Sequence, residues 1–156
     1  MVDYDIKIRE AGKITLYGTA DNTIVVPSNV RFDTDRRKAD IEIDSNIAAK
    51  VGIPDKAEKV ELEAKNAEVY LKDLTFENLE MDCKGTMVID VLNIAGSLEI
   101  NMVGGEAVLR VPADFSFRVV NKGRSTTVDC SVATDDSAEN TVEFNGKDSS
   151  LKIVKK

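Results

Sequence analysis

Apolar and polar residues alternate with a two-residue period along this chain, from about residue 58 to the C-terminus. That period puts every second side chain on one face, the pattern of half-buried β-strands and not of a helix. The apolar phase runs Val60, Leu62, Ala64; Val69, Leu71; Leu79, Met81, Cys83; Met87, Ile89, Val91; Leu98, Ile100, Met102; Ala107, Leu109, Val111; Phe115, Phe117, Val119; Val128, Cys130, Val132; Val142, Phe144; Leu151, Ile153. Glu80, Asp82, Asp90, Glu99, Asn101, Arg110, Arg118 and Asp129 fall in the opposite phase and are expected to face water. The separators are Lys84-Gly85, Ala95-Gly96, Gly104-Gly105, Asn121-Lys122-Gly123 and Asn145-Gly146, residues that tolerate positive φ.

Strand starts recur about every nine residues, and next-but-one strands match. Leu79-Glu-Met-Asp-Cys83 aligns with Leu98-Glu-Ile-Asn-Met102 at an offset of 19, and Met87-Val-Ile-Asp-Val91 with Ala107-Val-Leu-Arg-Val111 at 20. A fixed period of this size is a signature of stacked repeats. The expected fold is an all-β, single-domain β-solenoid spanning 1–156, with about 19–20 residues and two strands per turn. Residues 58–156 are repeat-like, and 1–57 form a less regular N-terminal β region. In that region Asp5–Ile8, Ile14–Tyr17, Thr23–Val26, Val30–Phe32 and Ala39–Ile43 read as strands, Pro27 ending one. Ser45 is placed to cap a short helical turn through Ile47–Val51, stopped by Gly52 and Pro54.

The stretch from about 58 to 156 resembles the bacterial putative-adhesin family of β-solenoid domains, whose function is unknown. The resemblance is carried by Ala67-Glu-Val-Tyr-Leu71, Leu79–Cys83, Gly96-Ser-Leu-Glu-Ile100, Gly105–Pro112 followed by Ala113-Asp-Phe-Ser-Phe117, and Leu151-Lys-Ile-Val154. This chain has fewer serines and glycines at corners than similar proteins, and its first third matches less clearly. The resemblance implies a non-catalytic binding module of the bacterial cell envelope or surface, and no functional residue carries over.

The residue types narrow the chemistry. The chain has no histidine, which removes Ser-His and Cys-His nucleophile pairs, His-ligated zinc and the usual neutral-pH base. We therefore expect no enzyme, and assign no catalytic, cofactor-binding or metal residues. Asp33-Thr-Asp35 begins like a calcium loop, but Arg37 stands where an oxygen ligand is needed. Asp135-Asp136 with Glu139 reads as a solvated loop, and Val103-Gly-Gly-Glu106 lacks the Lys of a phosphate loop. Tyr4, Tyr17 and Tyr70 are the aromatics to watch for sugar stacking, Tyr70 pointing outward. Cys83 and Cys130 fall in the apolar phase. Their separation of 130 − 83 = 47 residues is about 2.4 turns, or roughly 11 Å at ~4.8 Å per layer, too far for a disulfide. Both are expected to be free thiols.

A net charge of −7 and pI near 4.7 disfavour nucleic acid and anionic membrane surfaces. The small basic clusters, Arg36-Arg37-Lys38 and Lys155-Lys156, read as solvated surface. No apolar run approaches the roughly 18 residues of a membrane span, so no direct membrane insertion is expected. The partner is then an unknown protein or carbohydrate surface. The alternative function is a self-assembling, bactofilin-like β-helical protein, a homo-oligomer stacked through uncapped end strands; a carbohydrate-active enzyme ranks third. Met1–Asp5 does not resemble a signal peptide. Envelope or extracellular location requires a leader ahead of this chain, and cytoplasmic location follows if Met1 is the native start.

Overall fold

The computed structural model describes residues 3–8, 12–28, 30–43 and 48–156. These form a 13-stranded all-β sheet with no helix among the described residues. The strands are β1 (Asp3–Ile8), β2 (Lys13–Thr19), β3 (Arg31–Thr34), β4 (Lys38–Ile43), β5 (Ala48–Pro54), β6 (Lys56–Lys65), β7 (Glu68–Lys84), β8 (Thr86–Val103), β9 (Glu106–Val111), β10 (Arg118–Asn121), β11 (Thr127–Cys130), β12 (Thr141–Lys147) and β13 (Ser150–Lys155). They pair in two ladders. The first stacks β4, β1, β6, the C-terminal parts of β7 and β8, then β12 and β10, all parallel. The second stacks β5, β2, the N-terminal parts of β7 and β8, then β9, β13 and β11, also parallel. β7 and β8 run through both ladders.

The pairing follows the alignment of the sequence with itself. Leu79 lies against Leu98, Met81 against Ile100 and Cys83 against Met102; Met87 lies against Ala107 and Ile89 against Leu109. Parallel pairing at equal phase stacks like on like. Tyr4, Ala39, Val60, Leu79, Leu98 and Val142 form one buried row, and Ile14, Ala49, Val69, Ile89, Leu109 and Ile153 another, within a single core. Each Val, Leu or Ile of these rows removed from water contributes roughly 1.5–3 kcal/mol.

The layers are not stacked in chain order. β1 and β2 lie between β4 and β5 on one side and β6 and the N-terminal part of β7 on the other, and β12 and β13 lie between the C-terminal part of β8 with β9 on one side and β10 with β11 on the other. This accounts for the irregular texture of the N-terminal third: its strands pair at offsets such as Asp3 with Lys38 and Tyr4 with Val60, which no fixed period reveals.

Several expectations are corrected. Ala48–Val51 is part of strand β5, not a helical turn; Ser45 and Ile47 lie outside the described residues. In this segment Ala49, Val51 and Ile53 alternate inward, and burying that stripe outweighs the weak local cap. Ala95-Gly96 and Asn145-Gly146 are not turns, because β8 and β12 run through them. Gly96 keeps a φ of 143°, and a Cβ there would sit 2.2 Å from the Phe76 carbonyl oxygen. The corner at Gly85 and Gly105 is as expected, with φ of 71° and 80°; a Cβ on Gly105 would meet the Gly85 oxygen. Thr23–Val26 contributes only a bridge between Val25 and Gly52, and Phe115 and Phe117 enter the core from a loop, ring centroids 5.3 Å apart.

Asp90 lies on the outward side, yet it is only 4% exposed. Lys156 Nζ is 2.6 Å from its Oδ1 and Arg110 Nη1 is 3.2 Å from its Oδ2. Two cations therefore cover a carboxylate expected to be hydrated, and Lys156 is not free surface. Its backbone N–H also donates to the Val111 carbonyl.

Both cysteines are free. Cys83 is buried in the first ladder and Cys130 is half-buried in the second. Burial, aided by Asp82, pushes the Cys83 thiol up to about 12. The inserted layer 141–155 adds one step between them beyond the expected spacing.

Two outcomes follow. In native protein at pH 8 a disulfide reagent labels Cys130 well ahead of Cys83, and in denaturant the two react at the same rate; equal native rates contradict this packing. Phe144→Ala, at a fully buried position, costs about 3–5 kcal/mol in denaturant titration, whereas Val103→Ala, 73% exposed, stays within about 0.5 kcal/mol of the parent.

Candidate binding face

Outward positions of the first ladder bring together residues far apart in sequence. Asp40 pairs with Asp5, Asp5 with Glu61, Glu61 with Glu80, Glu80 with Glu99 and Glu99 with Glu143. The result is a column of carboxylates at one register position, one per layer, about 4.8 Å apart. The next outward row runs Glu42, Lys7, Glu63, Asp82, Asn101 and Asn145. On the other flank lie Lys38 paired with Asp3, and Lys59 paired with Asn78.

Like charges directly opposite on neighbouring strands repel, so the column needs compensation. Amides supply part of it. Asn101 Nδ2 donates to Glu80 Oε1 at 3.1 Å and Asp82 Oδ1 at 3.0 Å; Asn145 Nδ2 donates to Glu99 Oε1 at 3.0 Å and Glu143 Oε2 at 3.1 Å. Cations supply another part, at the outer members. Lys122 Nζ is 2.7 Å from Glu143, Lys59 is 3.0 Å from Glu61, and Lys38 sits 3.5 Å from Asp5 and 3.7 Å from Asp40.

Protonation responds accordingly. Partial burial, then the charges of Glu99, Asp82 and Glu61, push Glu80 above the usual carboxylate range. The hydrogen bond from Lys122, with that from Asn145, holds Glu143 below it against some desolvation. Lys59 is raised by Glu61, and Lys38 by Asp40 and Asp5.

The other candidates do not assemble with this face as one site. Asp35 accepts N–H bonds from Arg37 and Lys38 and shapes the β3–β4 turn; Asp135 accepts the Ser137 N–H and hydroxyl. Among the described residues no group of three or more Cys, Asp or Glu is placed to hold a metal ion. Tyr4 is buried in the core, because its row is the inward one. Tyr70 does point outward, half-buried: its hydroxyl donates to Glu68 and Lys13 Nζ lies 4.8 Å from its ring centroid.

Glu80 and Glu99 stood out in the sequence as outward residues of matching strands. Asp5, Asp40 and Glu143 did not, since their place in the column depends on layers stacked out of chain order. Outward phase combined with an acidic residue was the available signal.

No family model matches the sequence, and no curated protein matches it. Among solved structures, a putative cell adhesion protein from Clostridium sporogenes is similar, with a TM-score of 0.56 and 13% sequence identity over 99% of this chain and 93% of that one. The similarity is one of fold.

The raised Glu80 gives a signed prediction. The folded state holds its proton more tightly than the unfolded chain, so Glu80 lowers stability as pH rises from the ordinary carboxylate value through its raised one. Glu80→Gln is expected to stabilise the protein at pH 7, by less than about 1 kcal/mol at this partly exposed position, and to flatten that part of the pH–stability curve. Melting curves of both proteins between pH 4 and 8 check it; an unchanged profile contradicts the burial and repulsion that raise Glu80.

Proposed function

We propose that the protein is a non-catalytic, adhesin-like binding module, that its two ladders are faces of a β-solenoid, and that the carboxylate column is its contact surface. The observation that carries this reading is the column itself: Asp40, Asp5, Glu61, Glu80, Glu99 and Glu143 at one register position. A strand face repeats one chemistry at a fixed spacing, which suits an extended partner surface. Pairing at offsets of 19 and 20 residues supports the solenoid. A protein of similar fold is a putative cell adhesion protein, and the absence of histidine supports a role without acid–base catalysis.

The partner this face fits is a basic protein surface. Opposite charge steers association and sets its salt dependence, while nucleic acid and anionic lipid are repelled. An adhesin-like role goes with the cell envelope or exterior.

Binding to a lysine-rich peptide, followed against ionic strength, tests this. We expect association to weaken steeply between about 50 and 300 mM salt as screening shortens. The triple variant Glu61→Gln, Glu80→Gln, Glu99→Gln should lose at least about tenfold in affinity, roughly 1.4 kcal/mol, with an unchanged circular dichroism spectrum. Equal binding by the variant removes this face as the contact surface, and retention of a glycan by the variant and parent alike assigns binding elsewhere.

A further inference from the structure

The two ends of the strand stack are finished differently. At the β4–β5 end each ladder meets a further segment: β3 pairs antiparallel with β4, and Val25 bridges β5 at one residue, exchanging N–H···O bonds with Gly52 at 2.9 and 2.8 Å. The covering strand β3 is four residues long, wholly exposed and charged at Arg31 and Asp33, features that discourage further pairing. At the opposite end β10 pairs only with β12 and β11 only with β13 among the described residues.

The direction of the backbone groups at that end is set by the bonds already made. The N–H groups of Arg118 and Lys122 donate to the carbonyls of Asn140 and Phe144, and those of Thr127 and Ser131 to Ser149 and Ile153. In a parallel ladder alternate residues bond to one neighbour. The N–H and C=O groups of Val119 and Val128 are thus turned to the end of the stack. Their side chains are only partly buried against the core.

We infer that this end is a self-association surface, and that its occupant is a second copy of this chain in a closed two-fold dimer. A stack with one covered end and one open end disfavours head-to-tail addition, whereas joining open end to open end pairs the β10 and β11 edges of both copies and stops. The inference goes beyond the binding-face reading and does not depend on it. A two-fold axis along the strands lays β10 of one copy antiparallel to β11 of the other, and does so twice. With Val119 opposite Val128 of the second copy, the valines stay on the core side and Arg118 falls opposite Asp129 on the outer side. Both are exposed, and neither has an ion-pair partner among the described residues. The dimer supplies each with one, at two symmetric places.

Sedimentation velocity on the full chain from about 1 to 300 µM, the range in which a modest interface is populated, is expected to show reversible growth from one copy to two and no further. Arg118→Asp and Asp129→Arg each put like charges opposite one another and weaken the dimer at least about tenfold. The double variant R118D/D129R reverses both partners and returns the affinity to within about threefold of the parent. Amide hydrogen exchange on the unaltered protein is a second measure: Val119 and Val128 become protected as concentration rises. A monomer throughout, species growing beyond two copies, single variants that associate like the parent, or exchange at Val119 and Val128 that ignores concentration would each overturn the inference.

Discussion

Parallel strands paired without slip put each side chain directly over its counterpart in the next layer, and this stacking governs both faces of the sheet. Inward, it turns an alternating sequence into continuous apolar rows such as Ile6, Ile41, Leu62, Met81, Ile100 and Phe144, nearly all without solvent exposure. Outward, the same register obliges acidic residues to stack on acidic residues. The two effects cannot be separated, because moving a strand by one residue would turn its apolar row to water. Core burial therefore holds the carboxylate column in place against its own repulsion.

The register shifts occur where β7 passes from one ladder to the other, between Leu71 and Asn78. There the chain must change direction without losing its pairing with β8, and Asp73 takes a φ of 54° while its side chain accepts a bond from Asn93. At the opposite corner Asn66, Gly85 and Gly105 stack in positive φ, and Asn66 Oδ1 accepts the Thr86 N–H. Short polar and glycine residues thus absorb the curvature in the same place in successive layers. The long-range closures lie at the ends, where β12 meets β8 at Leu98–Val142 and β2 meets β5 at Lys13–Ala48; such non-local pairings bear a larger chain-closure cost than the 19- and 20-residue steps between them.

This division explains what could be read from the sequence. Between residues 79 and 111 the local step equals the sequence period, so the partners Leu79 with Leu98 and Ile89 with Leu109 follow from alignment alone. At the ends the partner is chosen by insertion of one layer between two others, and the sequence carries no period that reports it. Asp90 has the outward phase but not the hydrated surroundings which that phase predicts, since its cover comes from Lys156, 66 positions away (156 − 90). Ala48–Val51 looked helical because local capping residues are visible in a sequence, whereas the strand it joins is not. Of the column, the two members in the periodic region were legible as a pair and the rest only through the fold.

The column is also uneven along its length, and the unevenness has a direction. Its outer members are neutralised by lysines: Asp5 and Asp40 by Lys38, Glu61 by Lys59, Glu143 by Lys122. Glu80 and Glu99, in the middle, have amide donors and no ion-pair partner among the described residues. An amide offers a dipole where a lysine offers a full charge, so repulsion among the central carboxylates is the least relieved; with partial burial as the larger cause it pushes Glu80 upward, while Lys122 holds Glu143 down. The negative potential therefore peaks at the centre of a face whose ends are close to balanced. For the basic partner proposed above, contact at Glu80 and Glu99 is the most favourable, since a charge placed there relieves existing repulsion as well as adding attraction.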